Sequence, residues 1–216
     1  MKSSATSLAP VARALSKDRL APYLQATNGE LTSALELYEW NISVSCAIFE
    51  DLGIFEIVLR NALSTQLSLL CKSANHTWLD DPYKILAPEA HTDIAVARKR
   101  LMRLGRVPTE NAVISELTFG FWKYLLAKRY EATLWTPALR HAFPNLHPKT
   151  RAEVFKAVDQ ANSLRNRVAH HETIFGRDLA LDTARVNLAM SWVDADVALW
   201  ASNRSRVPEL LATRPY

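Results

Sequence analysis

Glycine is scarce in this chain: 5 of 216 residues, about 2% against the ~7% of ordinary globular proteins. Turn-rich β-sandwiches and phosphate-cradling loops both rely on glycine for backbone at positive φ, so both are disfavoured. Cysteine is rarer still. Cys46 and Cys71 cannot build a disulfide framework, and the 25 residues between them on one helix would separate them by roughly 37 Å. A cysteine-poor chain without covalent staples suits a reducing compartment, and a cytoplasmic location is expected. No apolar run approaches the ~18–20 residues of a membrane span, so no membrane partner is expected. The polar, lightly basic segment 1–17 lacks the apolar stretch of a secretory signal. Also missing are G-x-S-x-G, G-x-x-x-x-G-K and G-x-G-x-x-G, which disfavours the common hydrolase, nucleotide-triphosphatase and dinucleotide folds. With no H-E-x-x-H and with His170 and His171 adjacent rather than one helical turn apart, neither metal nor cofactor is expected.

What is present describes a helical protein. Hydrophobic residues make up 49% of the chain and charged residues 22%, ordinary globular values. Twenty-six Lys and Arg against 22 Asp and Glu leave a formal charge of +4. That excess permits an anionic partner without requiring one. The cations are clustered: Arg98, Lys99, Arg100, Arg103 and Arg106 fall within nine residues, and Lys149, Arg151, Lys156, Arg165 and Arg167 crowd a second segment. Such stripes are either electrostatic footprints for nucleic acid or solvated helix faces.

Periodicity and breakers place a first helix from Leu8 or Ser16 to Thr27, closed by the Asn28-Gly29 turn. From Glu30 to Lys72 there is no proline and a single glycine, Gly53. Apolar positions cover nearly the whole circumference around Ile42–Leu63, as expected of a buried central helix or of two helices broken at Gly53. A loop over 73–88 follows, then a helix over Pro88–Leu104 with the basic cluster outward. Thr109 is a candidate N-cap for 110–117. The aromatic Phe119-Gly120-Phe121-Trp122 patch leads into 123–130 and fits core packing better than base stacking. A short helix is expected around 138–143. Thr150 and Glu153 have capping-box spacing and launch a helix to about His170. The last helix spans about 179–203. The expected organisation is one all-α domain over 15–205 with tails at 1–14 and 206–216.

Chemistry concentrates at the end of the Thr150 helix. At 100° per residue, Val154, Ala157, Val158, Ala161, Leu164 and Val168 form one apolar stripe. Arg165 falls inside it, about 60° from Val168 and about 20° from Val158. A guanidinium on a core-facing stripe needs a partner or an interface, and an ion pair with Glu56 is one structural explanation. Glu56 and Arg60 themselves stand in the favourable i, i+4 order. His170 lies about 140° around a regular helix from Arg165, so the two do not converge on one atom. Either the helix ends near Ala169 and lets His170 swing, or a second copy of the chain completes the site across a twofold axis.

The segment Arg165-Asn166-Arg167-Val168-Ala169-His170 resembles the R-x4-6-H signature of HEPN-domain ribonucleases. Extended to RNRVAHHE, it is similar to the Abi-like proteins of bacterial abortive-infection systems. Leu37–Leu63 and Ser115–Leu126 resemble that family's helical blocks in the same order, so the likeness runs from about Leu15 to about Phe175. The resemblance implies a HEPN-like bundle with a long central helix, a homodimer with a composite active site, and metal-independent RNA cleavage by a toxin or effector in phage defence. An antitoxin protein or RNA is an implied partner.

These side chains suit that chemistry. RNA carries its own nucleophile, the 2′-OH, so proton transfer and anion stabilisation suffice. His170 is suited to general acid or base work, and His171, at the longer spacing, is its alternative or support. Arg165 can stabilise charge on the phosphorus oxygens through its planar fork. Asn166 can hold the imidazole or a phosphate oxygen, or cap the helix end. Arg167, Lys149, Arg151, Arg98, Arg100 and Arg103 are the expected RNA contacts.

Overall fold

The computed structural model describes residues 8–72 and 76–216. Residues 1–7 of the expected N-terminal tail, and 73–75 of the expected loop, lie outside the described residues. No strand occurs among the described residues, so the chain is all-α as expected. No described helix is long and apolar enough to cross a membrane.

The first helical stretch is two helices, α1 (Leu8–Leu15) and α2 (Lys17–Ala26). The break is Ser16, whose φ of 74° cannot continue a helix and whose side chain caps α2 by accepting from the Arg19 amide. Asn28 and Gly29 both take positive φ, forming the expected turn. Then α3 (Leu31–Cys71) runs unbroken for 41 residues, about 60 Å. Gly53 does not interrupt it, because one helical glycine costs only about 1 kcal/mol against extensive tertiary packing.

The helix α3 is the spine. Val44, Ile48, Leu52, Phe55, Leu59 and Leu63 are buried along it. Burial is not complete around its circumference, however: Ile42, Phe49 and Ile57 remain about half exposed (45%, 45% and 48%). Next come α4 (Pro88–Arg103), α5 (Glu110–Glu116) and α6 (Phe119–Leu125). Thr109 and Thr118 cap α5 and α6 with their hydroxyls. Phe119, Phe121 and Trp122 are buried in the core, so the aromatic patch has no face for a base.

Short 3-10 and π turns carry the chain from α6 to α7 (Arg151–Ala169). The expected final helix is split at Asp194 into α8 (Leu179–Val193) and α9 (Ala195–Arg204). Asp194 leaves helical backbone and accepts from the amides of Asp196 and Val197, starting the second helix. Residues 206–216, expected as a tail, are instead part of the fold. There α10 (Val207–Ala212) packs on α3 and α8, with Val207 buried. Trp40 Nε1 donates to the Leu210 carbonyl at 2.7 Å, and Arg206 pairs with Glu50 at 2.7 Å. Helices α2, α6, α7, α8 and α10 all pack against α3.

Candidate functional site

The site begins with the two ends of α7. At its start the expected capping box does not form. Thr150 makes no side-chain bond to backbone, and its hydroxyl donates to the Glu153 carboxylate at 3.4 Å. The start is braced by Arg151, which donates to the Leu126 carbonyl (2.8 Å) and Glu131 (3.2 Å) and lies over the Phe155 ring. With 10% of its side chain exposed, Arg151 is a structural tie and not the open RNA contact expected of it. It also stands about 21 Å along the axis from Arg165. Lys149, beside it, is half-buried.

At the other end, α7 keeps helical geometry through Ala169, with His170 as its C-cap (φ −93°, ψ 10°). The chain reverses one residue later, at His171, where φ is 56°. The His171 amide donates to the Val168 carbonyl (3.0 Å) and the Glu172 amide to the Arg167 carbonyl (2.9 Å). This pair of bonds is the Schellman pattern, with histidine where glycine is usual. Two other helices hold the turn. Arg19 of α2 donates to the His171 carbonyl at 2.5 Å, and Asn41 Oδ1 of α3 accepts from the Ile174 and Phe175 amides at 2.9 and 3.1 Å. Arg167 and Glu172 bridge the turn as an exposed ion pair at 2.9 Å.

The helix turns the apolar stripe inward as expected: Val154, Val158, Ala161, Leu164 and Val168 are buried. Arg165 sits at its edge facing α3. Its Nε is 4.0 Å from Glu56 Oε2, outside hydrogen-bonding range, and an Nη reaches the Asn166 Oδ1 at 3.5 Å. The Nε atoms of both Arg165 and Arg60 are shielded from solvent and have no hydrogen-bond partner. Burial pushes the Glu56 carboxyl up from its ordinary value of 4.5, although Arg165 and Arg60 pull it down. Two guanidiniums therefore share one reluctant carboxylate, and Arg165, with 34% of its side chain exposed, can meet an anion only through its outer guanidinium nitrogens, not through the buried Nε.

A groove of about 700 Å³ runs between α2, α3 and the end of α7. Its lining includes Val168, Ala169 and His171, together with Tyr38, Ile42 and Phe49. His170 is exposed and is not part of the groove lining. The fold thus gathers Arg165, Asn166, His170 and His171 at one helix end, and of the two histidines only His171 lines the groove.

The basic cluster lies on α4, which packs on α5. Arg98 pairs with Asp80 at 2.7 Å, and Arg100 and Arg106 share Glu116 at 3.4 and 4.0 Å. Arg103 forms no ion pair among the described residues. Among the described residues no group of three or more His, Cys, Asp or Glu could hold a metal ion. Sequence reasoning did not reach Arg19 and Asn41, which hold the turn from 152 and 133 positions away. Arg60 and Glu56 carried a local signal in their i, i+4 spacing. Comparison with family models, with curated proteins and with solved structures finds no match to this chain.

Proposed function

We propose that this chain is a metal-independent endoribonuclease of the Abi-like HEPN type, acting as a toxin or effector in phage defence. The observation that carries the reading is the Arg165 guanidinium, held at the α3 face with its Nε unpartnered, on a helix that ends in two imidazoles. Arg165, with Arg60 beside it, stabilises the charge that grows on the phosphate oxygens as the 2′-OH attacks phosphorus. The 2′-OH loses its proton to a base, the P–O5′ bond breaks, and the leaving 5′-oxygen is protonated. The products are a 2′,3′-cyclic phosphate and a 5′-OH, and DNA is inert for want of the nucleophile.

His170 follows the motif spacing. Because α7 stays helical through Ala169, His170 does not swing toward Arg165 of its own chain, and a second copy supplies it across a twofold axis. Ile57, half exposed on α3 outside the groove, is apolar surface available to that copy. His171 lies on the groove side within one protomer and is the second imidazole to test. The alternative is a non-catalytic RNA- or partner-binding module that dimerises through the motif, with Arg165 lying 4.0 Å from Glu56 as a loose structural pair.

The test incubates the purified chain with total RNA in EDTA. Cleavage to cyclic phosphate ends, abolished in Arg165→Ala and in His170→Ala or His171→Ala, is the expected result. Intact RNA at high protein concentration, with folded variants behaving like wild type, sinks the proposal. Recovery of activity on mixing Arg165→Ala with His170→Ala chains identifies the shared site.

A further inference from the structure

The groove beside the α7 end has a floor that the chemistry above does not use. Ser45 is 8% exposed, lines the groove, and its hydroxyl has no hydrogen-bond partner. A buried hydroxyl left without a partner destabilises the fold unless something else satisfies it. One turn earlier, Asn41 uses its Oδ1 on the Ile174 and Phe175 amides, which leaves its Nδ2 as a donor on the same wall. Around these polar atoms stand Tyr38, held edge-on to Tyr23 at 5.2 Å, and the half-exposed Phe49 and Ile42. Arg19 is fixed at the rim by the His171 carbonyl.

We propose that this groove is the nucleobase subsite of the ribonuclease, seating the base of the nucleotide next to the cleaved phosphate; the assignment rests on the ribonuclease reading. Three properties select a base over other occupants. The volume, about 700 Å³, falls within the range of small-ligand sites. Aromatic faces stack any base, and a base edge brings the donors and acceptors that Ser45 and Asn41 lack. An apolar side chain from a second copy would cover the Ser45 hydroxyl without satisfying it. The groove also reaches the motif, because Val168, Ala169 and His171 line it and Arg165 stands one helical turn before Ala169 on α7.

Calorimetric titration with the four nucleoside 3′-monophosphates and with inorganic phosphate tests the assignment. At least one nucleotide is expected to bind about tenfold or more tightly than phosphate, a margin ordinary for stacking on one aromatic ring. Cys46→Trp, which fills the groove from an exposed position, is expected to erase that margin and leave phosphate binding intact. Ser45→Ala is expected to fold at least as well as wild type and to lose several-fold in nucleotide affinity alone. Equal affinity for phosphate and all four nucleotides overturns the subsite, as does a margin that survives Cys46→Trp. If Cys46→Trp instead splits a dimer in sedimentation while nucleotide binding is unchanged, the groove belongs to a second copy and the proposal falls. Wild-type protein that binds nucleotides with this margin but never cleaves RNA refutes the ribonuclease reading and leaves the base site standing.

Discussion

Arg19 Nη1 donates a hydrogen bond to the carbonyl oxygen of His171 at 2.5 Å, joining α2 to the residue that ends α7 across 152 positions of sequence. The bond fixes backbone and leaves the imidazole free. His171 is thereby held in left-handed conformation, φ 56°, a region that non-glycine residues avoid by roughly 1–2 kcal/mol.

Replacing His171 by glycine relieves that conformation. His171→Gly is expected to raise the urea midpoint, by about 1 kcal/mol of stability, while removing whatever the imidazole contributes to RNA cleavage. Stability and activity move in opposite directions only if the histidine is kept for chemistry. A midpoint that falls would show that its packing in the groove outweighs the backbone strain.

Glu56 predicts a pH effect. Burial raises its folded pKa above the ordinary 4.5, so the folded chain holds this proton more tightly than the unfolded one. Its stabilising contribution is complete below the unfolded value and is lost as pH rises through the folded value. Glu56→Gln, which mimics the protonated form, is expected to match wild type at about pH 4 and to gain on it by about pH 7. Urea titrations at both pH values check this. A gap that is constant with pH would show that Glu56 titrates normally.

The two kinds of arginine separate in a paired experiment. Arg151→Ala removes a nearly buried tie to Leu126 and Glu131, and about 2 kcal/mol of stability should go with it. The salt dependence of RNA binding should not change. Arg103→Ala should leave stability within about 0.5 kcal/mol and lower the slope of log affinity against log salt by about one phosphate contact. Fluorescence titration at several salt concentrations measures both slopes; an unchanged slope for Arg103→Ala removes α4 from the RNA surface.

Residues 206–216 should matter to the whole chain. Deleting them uncovers Trp40 and Val207's site on α3 and removes the Arg206–Glu50 pair. A loss of at least about 2 kcal/mol, the worth of one buried valine-sized side chain, is expected by urea denaturation. Unchanged stability would return this segment to the status of a tail.

The parts legible in the sequence were those written in short-range periodicity. The inward stripe of α7, the helical character of residues 30–72 (though not its continuity through Gly53) and the Asn28-Gly29 turn all follow from residues a few positions apart. The same periodicity set Arg165 inside the apolar stripe with Glu56 as one candidate partner, and it lies 4.0 Å from Glu56. Ser16 stood out as a helix start but not as a break between two helices, and the break at Asp194 was hidden because it lies within a continuing apolar pattern, where only the side-chain cap marks the division. The α10 helix had a local signal after all, since Pro208 and Glu209 stand in its first turn, but short polar ends read as tails. At the site, the place of His171 in the groove depended on where the turn falls, and contacts from Arg19 and Asn41 hold that turn. No local pattern encodes partners so distant in sequence.

The unbroken α3 also bears on how the molecule comes apart. Helices α2, α6, α7, α8 and α10 rest on this one rod, so none can leave without exposing part of its apolar surface. The chain should therefore unfold in a single cooperative step. The slowest-exchanging amides along α3 open only when the whole protein does. α1, which buries none of its own residues, is the piece expected to exchange independently.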